Sequence, residues 1–461
     1  MRNQGLSRGY AFLGGDYALP CEGPRSGGLS AWLGATEWRS GVLVRSKRAM
    51  RAVVSEYAHA IRAFSRNARL FLVALGIQSS GIGILVTVFA IYVKSAGLSE
   101  AVIGDVEGSL ALASAAVCLL APPLIAVFGY RRLLVMAAVL YGVARLGQAG
   151  APEIGILLAF GAMYGSGDGI MQAAPVAFLA ENSTPFERSH LYTADLFIRV
   201  LCAMGGGLVG GLLPSALSGL LSEVDTYRAT VAIAGVLLLS SSIPLLMMRE
   251  ALAHPRHSFA RYLETIRGFR SWGHVGRLLV PQVLISLGAG LIIPFLSLYL
   301  KQQMHASIGE VGFIQGVSQL SMGIAALGAP LLGRRVGFVK ATALTEAASI
   351  PFLAAIPFMT SLPLAAVIFW FRSAFMNMSW PTWNQYAMEH VPGRERPVVA
   401  GMVSFGFSFG WLAGSATAGR LMAYSYTVPY AIATGLYAAG ALATWLMLRR
   451  HQEPPAWVEA T

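Results

Sequence analysis

Charged side chains are scarce in this sequence. Asp, Glu, Lys and Arg together make up 12% of the 461 residues, whereas a soluble globular domain carries about 25%. Hydrophobic residues make up 55%, and the mean hydropathy is +0.60. This composition excludes an ordinary soluble domain and predicts a polytopic membrane protein.

Cysteine and histidine are also few and follow no pattern. Cys21, Cys118 and Cys202 show no CxxC spacing, so the sequence predicts neither a disulfide framework nor a metal site. The eight histidines are scattered through tails and loops without an HExxH spacing. No GxxxxGK[ST] loop is present, which leaves direct coupling to ATP unsupported. We therefore expect no metal ion and no cofactor.

The net charge of +12 does not indicate nucleic-acid binding, because the basic residues lie between long apolar runs and form no single stripe. Most of them fall in the N-terminal region, the central linker, the C-terminus and the connections after even-numbered apolar segments. The positive-inside rule then predicts a multi-pass protein of the cell membrane with both termini in the cytoplasm.

A membrane-spanning helix needs about 20 largely apolar residues. Twelve segments of the sequence meet this requirement. Small residues within them would let the helices approach closely. The predicted spans lie near 69–94, 101–128, 132–149, 154–180, 188–214, 227–248, 277–300, 310–333, 340–358, 362–390, 396–422 and 427–448.

The spans divide the chain into regions. Residues 1–49 contain no signal peptide and are predicted to be a disordered tail, or sequence upstream of a true start at Met50. Two interfacial amphipathic helices are expected, one at 50–67 and one within a cytoplasmic linker at 251–276. The six-helix bundles would occupy 68–250 and 277–450, and a cytoplasmic tail 451–461.

The two predicted bundles repeat each other at an offset of 208 residues. Gly104, Gly108 and Gly129 match Gly312, Gly316 and Gly337, and the pair Glu187–Arg188 matches Glu395–Arg396. A repeat of six spans keeps the same orientation in the membrane, so the halves should be parallel repeats related by an axis along the membrane normal. The fold class is all-α, with twelve membrane helices in two six-helix bundles.

The chain resembles the major facilitator superfamily over about residues 68–450. The stretch "PPLIAVFGYRR" resembles the family signature between the second and third helices, retaining Gly129, Arg131 and Arg132 but not its acid. Its second copy, "PLLGRRVGFVK", retains Arg335, Gly337 and Lys340. The stretch "AMGGGLVGGLLP" in the fifth span resembles the Gly-rich signature of the family's antiporters and is a hint of export.

Asp168 lies about 14 residues into the fourth span, among apolar residues. An intramembrane carboxylate is a functional candidate by default. The resemblance implies that the first, fourth, seventh and tenth spans line a central cavity, so Asp168 would bind a proton or a cationic substrate group there. Alternatively it forms a structural bridge to Arg145 or Arg199. The neighbouring glycines 165, 167 and 169 favour function, because they let a ligand or backbone approach.

Arg372, in the tenth span, is the second candidate for the cavity and would need an acidic partner or an anionic substrate group. Glu346 is expected near the cytoplasmic rim, where it would be hydrated. With Asp168, Arg372 and Arg145 as coupling or substrate residues, the predicted cavity also contains Gln78, Gln172, Gln282, Asn377 and Trp380.

Other polar residues are predicted to be structural or to take part in gating. Asp195 and Arg199 are spaced for an intrahelical ion pair. Glu187, Arg188, Glu395 and Arg396 are expected to clamp helices together, and Gly129 and Gly337 belong to the loop signatures.

These features predict a secondary transporter that works by alternating access and exports a small amphipathic organic molecule with protons as the coupling ion. Its partners would be that molecule, protons and the lipid bilayer, and it would act as a monomer. A facilitator or importer of sugars or other metabolites is the alternative. A polytopic membrane enzyme is disfavoured by the scattered histidines, and a sensor on a transporter fold stays open.

Overall fold

The computed structural model describes residues 64–249 and 264–449. The predicted tails at 1–49 and 451–461 lie outside the described residues. So do residues 50–63 of the predicted interfacial helix and residues 251–263 of the predicted linker. In the rest of the linker, residues 264–267 form one helical turn.

Twelve helices of the described residues are long and apolar enough to cross a membrane, which confirms the predicted number of spans and identifies a multi-pass membrane protein. They are α1 (Arg66–Ser95), α2 (Glu100–Ile125), α3 (Val127–Gly150), α4 (Ile154–Glu181), α5 (His190–Leu217), α6 (Glu223–Leu246), α7 (Trp272–Gln302), α8 (Ile308–Val336), α9 (Phe338–Phe358), α10 (Leu362–Glu389), α11 (Arg396–Met422) and α12 (Thr427–Leu448).

Several of these helices are interrupted for local reasons. The helix that contains α5 begins earlier, at Pro185, and Thr184 caps it by accepting a hydrogen bond from the N–H of Glu187. In α7 and α9, the sequence Ile-Pro-Phe forms a 3₁₀ turn at Ile293–Phe295 and Ile356–Phe358. Proline lacks the N–H that an α-helix needs, so the tighter turn is favoured there.

A glycine lies at the tight turn between α2 and α3, and another lies at the tight turn between α8 and α9. Gly129, near the start of α3, breaks the helix at the α2–α3 junction with φ 74° and ψ 162°, and Gly337 separates α8 from α9 with φ 86° and ψ 149°. Backbone in this region is almost restricted to glycine. The sequence repeat therefore has a conformational counterpart at the same position of each half.

The N-terminal half (α1–α6) and the C-terminal half (α7–α12) meet at two equivalent crossings. A Cβ on Gly104 of α2 would meet the backbone of Ser415 in α11, and a Cβ on Gly312 of α8 would meet the backbone of Gly207 in α5. The members of the two pairs are related by the 208-residue offset. Backbones thus touch directly where the halves meet, and the parallel repeat predicted from the sequence is confirmed.

Polar contacts join the halves at the end of the molecule that carries the α1–α2, α5–α6, α7–α8 and α11–α12 turns, here called the α1–α2 end. Arg420 of α11 pairs with Asp105 of α2 at 3.2 Å, and Lys301 of α7 pairs with Glu223 of α6 at 3.0 Å. All ion pairs between halves in the described part of the chain lie here, so the halves are closed together at this end.

Tyr426, in the turn between α11 and α12, adds to this closure. Its hydroxyl lies 3.2 Å from the carboxylate of Glu100 in α2 and also contacts Gln302. Burial, with Glu100 as the second cause, raises the pKa of the Tyr426 hydroxyl well above its usual range. The phenol therefore stays protonated and can donate a hydrogen bond at this contact.

Candidate functional site

The glycines around Asp168 serve helix packing. A Cβ on Gly165 would meet the backbone of Leu110 in α2, and one on Gly169 would meet the backbone of Ser114. Gly167 faces α3 in the same way, at Ala137. Of the two approaches that these glycines were expected to permit, by a ligand or by backbone, the structure shows the approach of backbone. The glycines bring α4 close to α2 and α3 and so fix the position of Asp168 between them.

The Asp168 carboxylate accepts three hydrogen bonds from neutral groups. Ser114 of α2 donates at 2.8 Å, Tyr141 of α3 at 3.0 Å, and Gln172, one turn further along α4, at 2.6 Å. Gln172 also donates to the hydroxyl of Ser114 at 3.1 Å. Asp168 is only half-buried and Gln172 is exposed, so this carboxylate is held in place without being sealed from its surroundings.

Neither arginine proposed as a structural partner pairs with Asp168. Arg199 is held by Asp195 of its own helix, with contacts of 2.9 and 3.2 Å. No Arg or Lys among the residues that the structure describes forms an ion pair with Asp168. The geometry of Asp195 and Arg199 is that of the intrahelical pair expected from their spacing.

Arg145 occupies an aromatic pocket inside the N-terminal half. It is 4% exposed, its guanidinium lies 4.0 Å from the ring centroid of Tyr164 and 4.4 Å from that of Phe89, and it donates to Gln148 at 2.7 Å. The ring faces of Tyr164 and Phe89 and the amide of Gln148 stabilise the guanidinium charge. No carboxylate among the described residues contacts this guanidinium.

Glu107 of α2 is an intramembrane acid that the sequence marks as a candidate near the outer mouth. It lies within electrostatic range of both Arg145 and Asp168 and beside Trp411 of α11. Its position seven residues into the second span suggested only the outer mouth, because the sequence does not show which way α2 is rotated. The structure links this acid with the C-terminal half.

An aromatic row runs across the C-terminal half from α10 to α11. Trp380 of α10 packs edge-on against Phe407 of α11, with ring centroids 5.5 Å apart, and Phe407 packs against Trp411 at 5.8 Å. Trp380 is 47% exposed. Through Trp411 this row reaches Glu107, so an aromatic wall in one half adjoins an acidic group in the other.

Arg372 lies inside the C-terminal half. It is 2% exposed, its guanidinium donates to the Tyr437 hydroxyl of α12, and its Cζ lies 5.2 Å from the Tyr437 ring centroid. Glu346 of α9 is 4% exposed, and within the described residues its Oε2 has no hydrogen-bond partner. The prediction of a hydrated Glu346 is therefore wrong, because that face of α9 is covered by the bundle.

The amide side chains that were predicted to line the cavity lie in different parts of the molecule. Gln78 is buried and donates to Ser241 of α6 at 3.1 Å, and Gln282 is buried in α7. The Asn377 side chain donates to the carbonyl of Ser373 in its own helix at 2.8 Å. Of the predicted cavity residues, only Gln172 therefore joins Asp168.

Two of the predicted clamp residues, Glu395 and Arg396, contact residues of their own half. Glu395 is buried and accepts hydrogen bonds from Ser271 Oγ at 2.6 Å and from the backbone of Arg270 at 3.2 Å, fixing the α10–α11 loop to the start of α7. Arg396 donates to the Met388 carbonyl at 3.1 Å. The side chain of Arg188 lies outside the described residues.

The described residues contain no group of three or more His, Cys, Asp or Glu side chains placed to hold a metal ion. The chemistry available at Asp168 is that of a carboxylate: it can bind a proton, or it can bind a cation through charge and hydrogen bonds.

Comparison with protein families and solved structures shows what the chain is similar to. The model of the Major Facilitator Superfamily matches residues 278–460, the C-terminal half, and solved transporters share the fold of the whole described chain. The C-terminal half of the chain is therefore similar to the major facilitator superfamily. No curated protein sequence matches it significantly.

Three solved structures illustrate the shared fold. A D-xylose–proton symporter has a TM-score of 0.68 at 16% identity, covering 87% of this chain and 100% of that one. The nucleoside transporter NupG has a TM-score of 0.66 at 14% identity, covering 84% and 100%. A bacterial homologue of the human lysosomal transporter Spinster, inward-facing and occupied, has a TM-score of 0.62 at 13% identity, covering 84% and 98%.

Proposed function

We propose that this protein is a secondary transporter that exports a small amphipathic organic molecule and is driven by a proton gradient. The observation that carries the proposal is the half-buried carboxylate of Asp168, held by Ser114, Tyr141 and Gln172 without a fixed cation. Because no fixed cation in the described part of the chain neutralises this carboxylate, its charge can attract a proton or a substrate cation.

Alternating access is supported by the closure at the α1–α2 end. The positive-inside rule puts that end outside the cell, so the cleft between the halves would open to the cytoplasm in this conformation. Glycine crossings and the Arg420–Asp105 and Lys301–Glu223 pairs hold the outer end shut. Opening outward requires these contacts to separate while the two halves rock around Asp168.

We infer an amphipathic substrate because the N-terminal half supplies acidic groups to the proposed site and the C-terminal half supplies aromatic ones. Asp168 and Glu107 supply acidic groups in the N-terminal half, and Trp380, Phe407 and Trp411 supply aromatic surface in the C-terminal half. A ligand with a polar or cationic group on an apolar body would use both. The glycines of α5 no longer favour export, because packing accounts for them.

Import is the second candidate, because a D-xylose–proton symporter has the same fold. Proteoliposomes containing the purified protein separate the possibilities. We expect saturable, time-dependent flux of an amphipathic organic cation, and dependence of its rate on an imposed pH gradient. Protons and substrate moving in opposite directions would indicate export, and movement in the same direction would indicate import. An absence of saturable flux for all compounds tested, including sugars and nucleosides, would contradict the proposed transport function.

A further inference from the structure

A groove open to the outside of the bundle runs along α3, starting just below the α2–α3 turn. It encloses about 380 Å³ and is lined by Arg131 and Arg132 at one end and by Met136, Val139 and Leu246 among its apolar side chains. This α3 groove lies within the N-terminal half and is separate from Asp168 and the aromatic row.

The apolar part of the α3 groove belongs to the surface that faces the bilayer. Met136, Val139 and Val143 are 42%, 38% and 39% exposed and are spaced as one stripe of a helix. Leu246, at the end of α6, is 53% exposed. In a membrane helix, such exposed apolar side chains contact lipid.

The polar part lies where a lipid headgroup would be. Arg131 and Arg132 stand at the end of α3, and Val139 is about 10 Å further into the membrane at 1.5 Å per residue. Arg131 is fixed in place because it donates to the Leu246 carbonyl of α6 at 2.6 Å. Its Nε is buried and has no hydrogen-bond partner in the described part of the chain, and Arg132 is exposed.

Two guanidinium groups above an apolar channel match one chemical class of ligand. Guanidinium binds phosphate through paired, charge-assisted hydrogen bonds. A free anion would use the arginines and leave the apolar wall uncovered, whereas a phospholipid covers both. We propose that the α3 groove binds one anionic phospholipid of the surrounding bilayer, with its phosphate on Arg131 and Arg132 and an acyl chain along Met136 and Val139.

The proposal is tested by native mass spectrometry of the full chain with phosphatidylglycerol and with phosphatidylcholine of the same acyl chains. We compare the wild type with Arg131→Gln/Arg132→Gln. The matched control is Arg334→Gln/Arg335→Gln, which removes the same charge from exposed arginines at the equivalent α8–α9 turn. Each arginine near an anionic lipid contributes a factor of about five, so the first variant should retain one phosphatidylglycerol about 30-fold more weakly.

A second variant keeps the test decisive if loss of the Arg131 contact impairs folding. Met136→Trp fills the groove without changing charge and should also displace the bound lipid. Equal lipid retention by the wild type and by either variant would overturn the proposal. So would an equal loss in the control, which would show a general charge effect, or full displacement by inorganic phosphate, which would show a free-anion site.

Discussion

Gly129 and Gly337 occupy equivalent positions 208 residues apart and share one backbone conformation, with φ 74° and 86°. We predict that Gly129→Ala and Gly337→Ala each lower the free energy of unfolding by about 1–3 kcal/mol, because an alanine at positive φ and extended ψ is strained. Thermal unfolding of the purified variants measures this cost.

The strain can be separated from a steric clash at these positions. A Cβ at Gly129 would have no heavy atom within 4 Å, and the same holds at the helical Gly155. Gly155→Ala is therefore the control, and it should leave stability unchanged or raise it slightly. Equal stability of Gly129→Ala and Gly155→Ala would show that the α2–α3 turn does not need its positive φ.

The glycine crossings should be necessary for transport. A Cβ on Gly211 of α5 would meet the backbone of Ile308 and Gly312 in α8. Gly211→Val should therefore prevent closure at the α1–α2 end and reduce flux in proteoliposomes to near background, with the protein still folded.

Gly205→Val tests whether this effect comes from the crossing. Gly205 lies on the same helix, and a Cβ there would have no heavy atom within 4 Å, so flux should stay near the wild-type rate. Loss of flux in both variants would instead attribute the defect to α5 as a whole.

Arg372 is predicted to matter more for stability than for substrate affinity. Its guanidinium is 2% exposed and donates to Tyr437, and a hydrogen bond to a charged group contributes about 1.5–3 kcal/mol. Arg372→Gln should lower thermal stability and leave KM nearly unchanged, and Tyr437→Phe should show the same pattern. A clear rise in KM at unchanged stability would instead support the role of Arg372 as a substrate residue.

The aromatic row should contribute to substrate affinity. Trp380→Ala removes an exposed ring that packs on Phe407, and we expect a rise in KM of about two- to tenfold for an amphipathic substrate. Trp272→Ala is the control, since Trp272 is also exposed, at 57%, but packs against Phe269 at the start of α7. A similar change in KM for both variants would exclude a specific role for Trp380.

Features that depend on local sequence could be predicted. Apolar length defines the spans, and the 208-residue offset predicted the parallel halves because matched glycines mark equivalent crossings. The pairing of Asp195 with Arg199 follows from helical periodicity alone. These relationships need no knowledge of how one helix is rotated against another.

Features that depend on helix rotation could not be predicted. Arg372 was assigned to the cavity from its helix, but its partner Tyr437 lies on α12, two helices further along the chain. Gln78 likewise faces Ser241 within its own half. Ser114 and Tyr141, which hold Asp168, carry no charge and show no motif, so nothing in the sequence distinguished them from other polar residues in the spans.

The role of Asp168 is tested most directly by Asp168→Asn in proteoliposomes with an imposed pH gradient. The Asn side chain keeps the shape but cannot carry the proton, so gradient-driven flux should fall to the level of empty liposomes, while substrate exchange without a gradient persists. Asp195→Asn/Arg199→Gln, which removes a fixed ion pair, should retain gradient-driven flux. Gradient-driven flux by Asp168→Asn at the wild-type rate would show that this carboxylate is structural and that coupling occurs elsewhere.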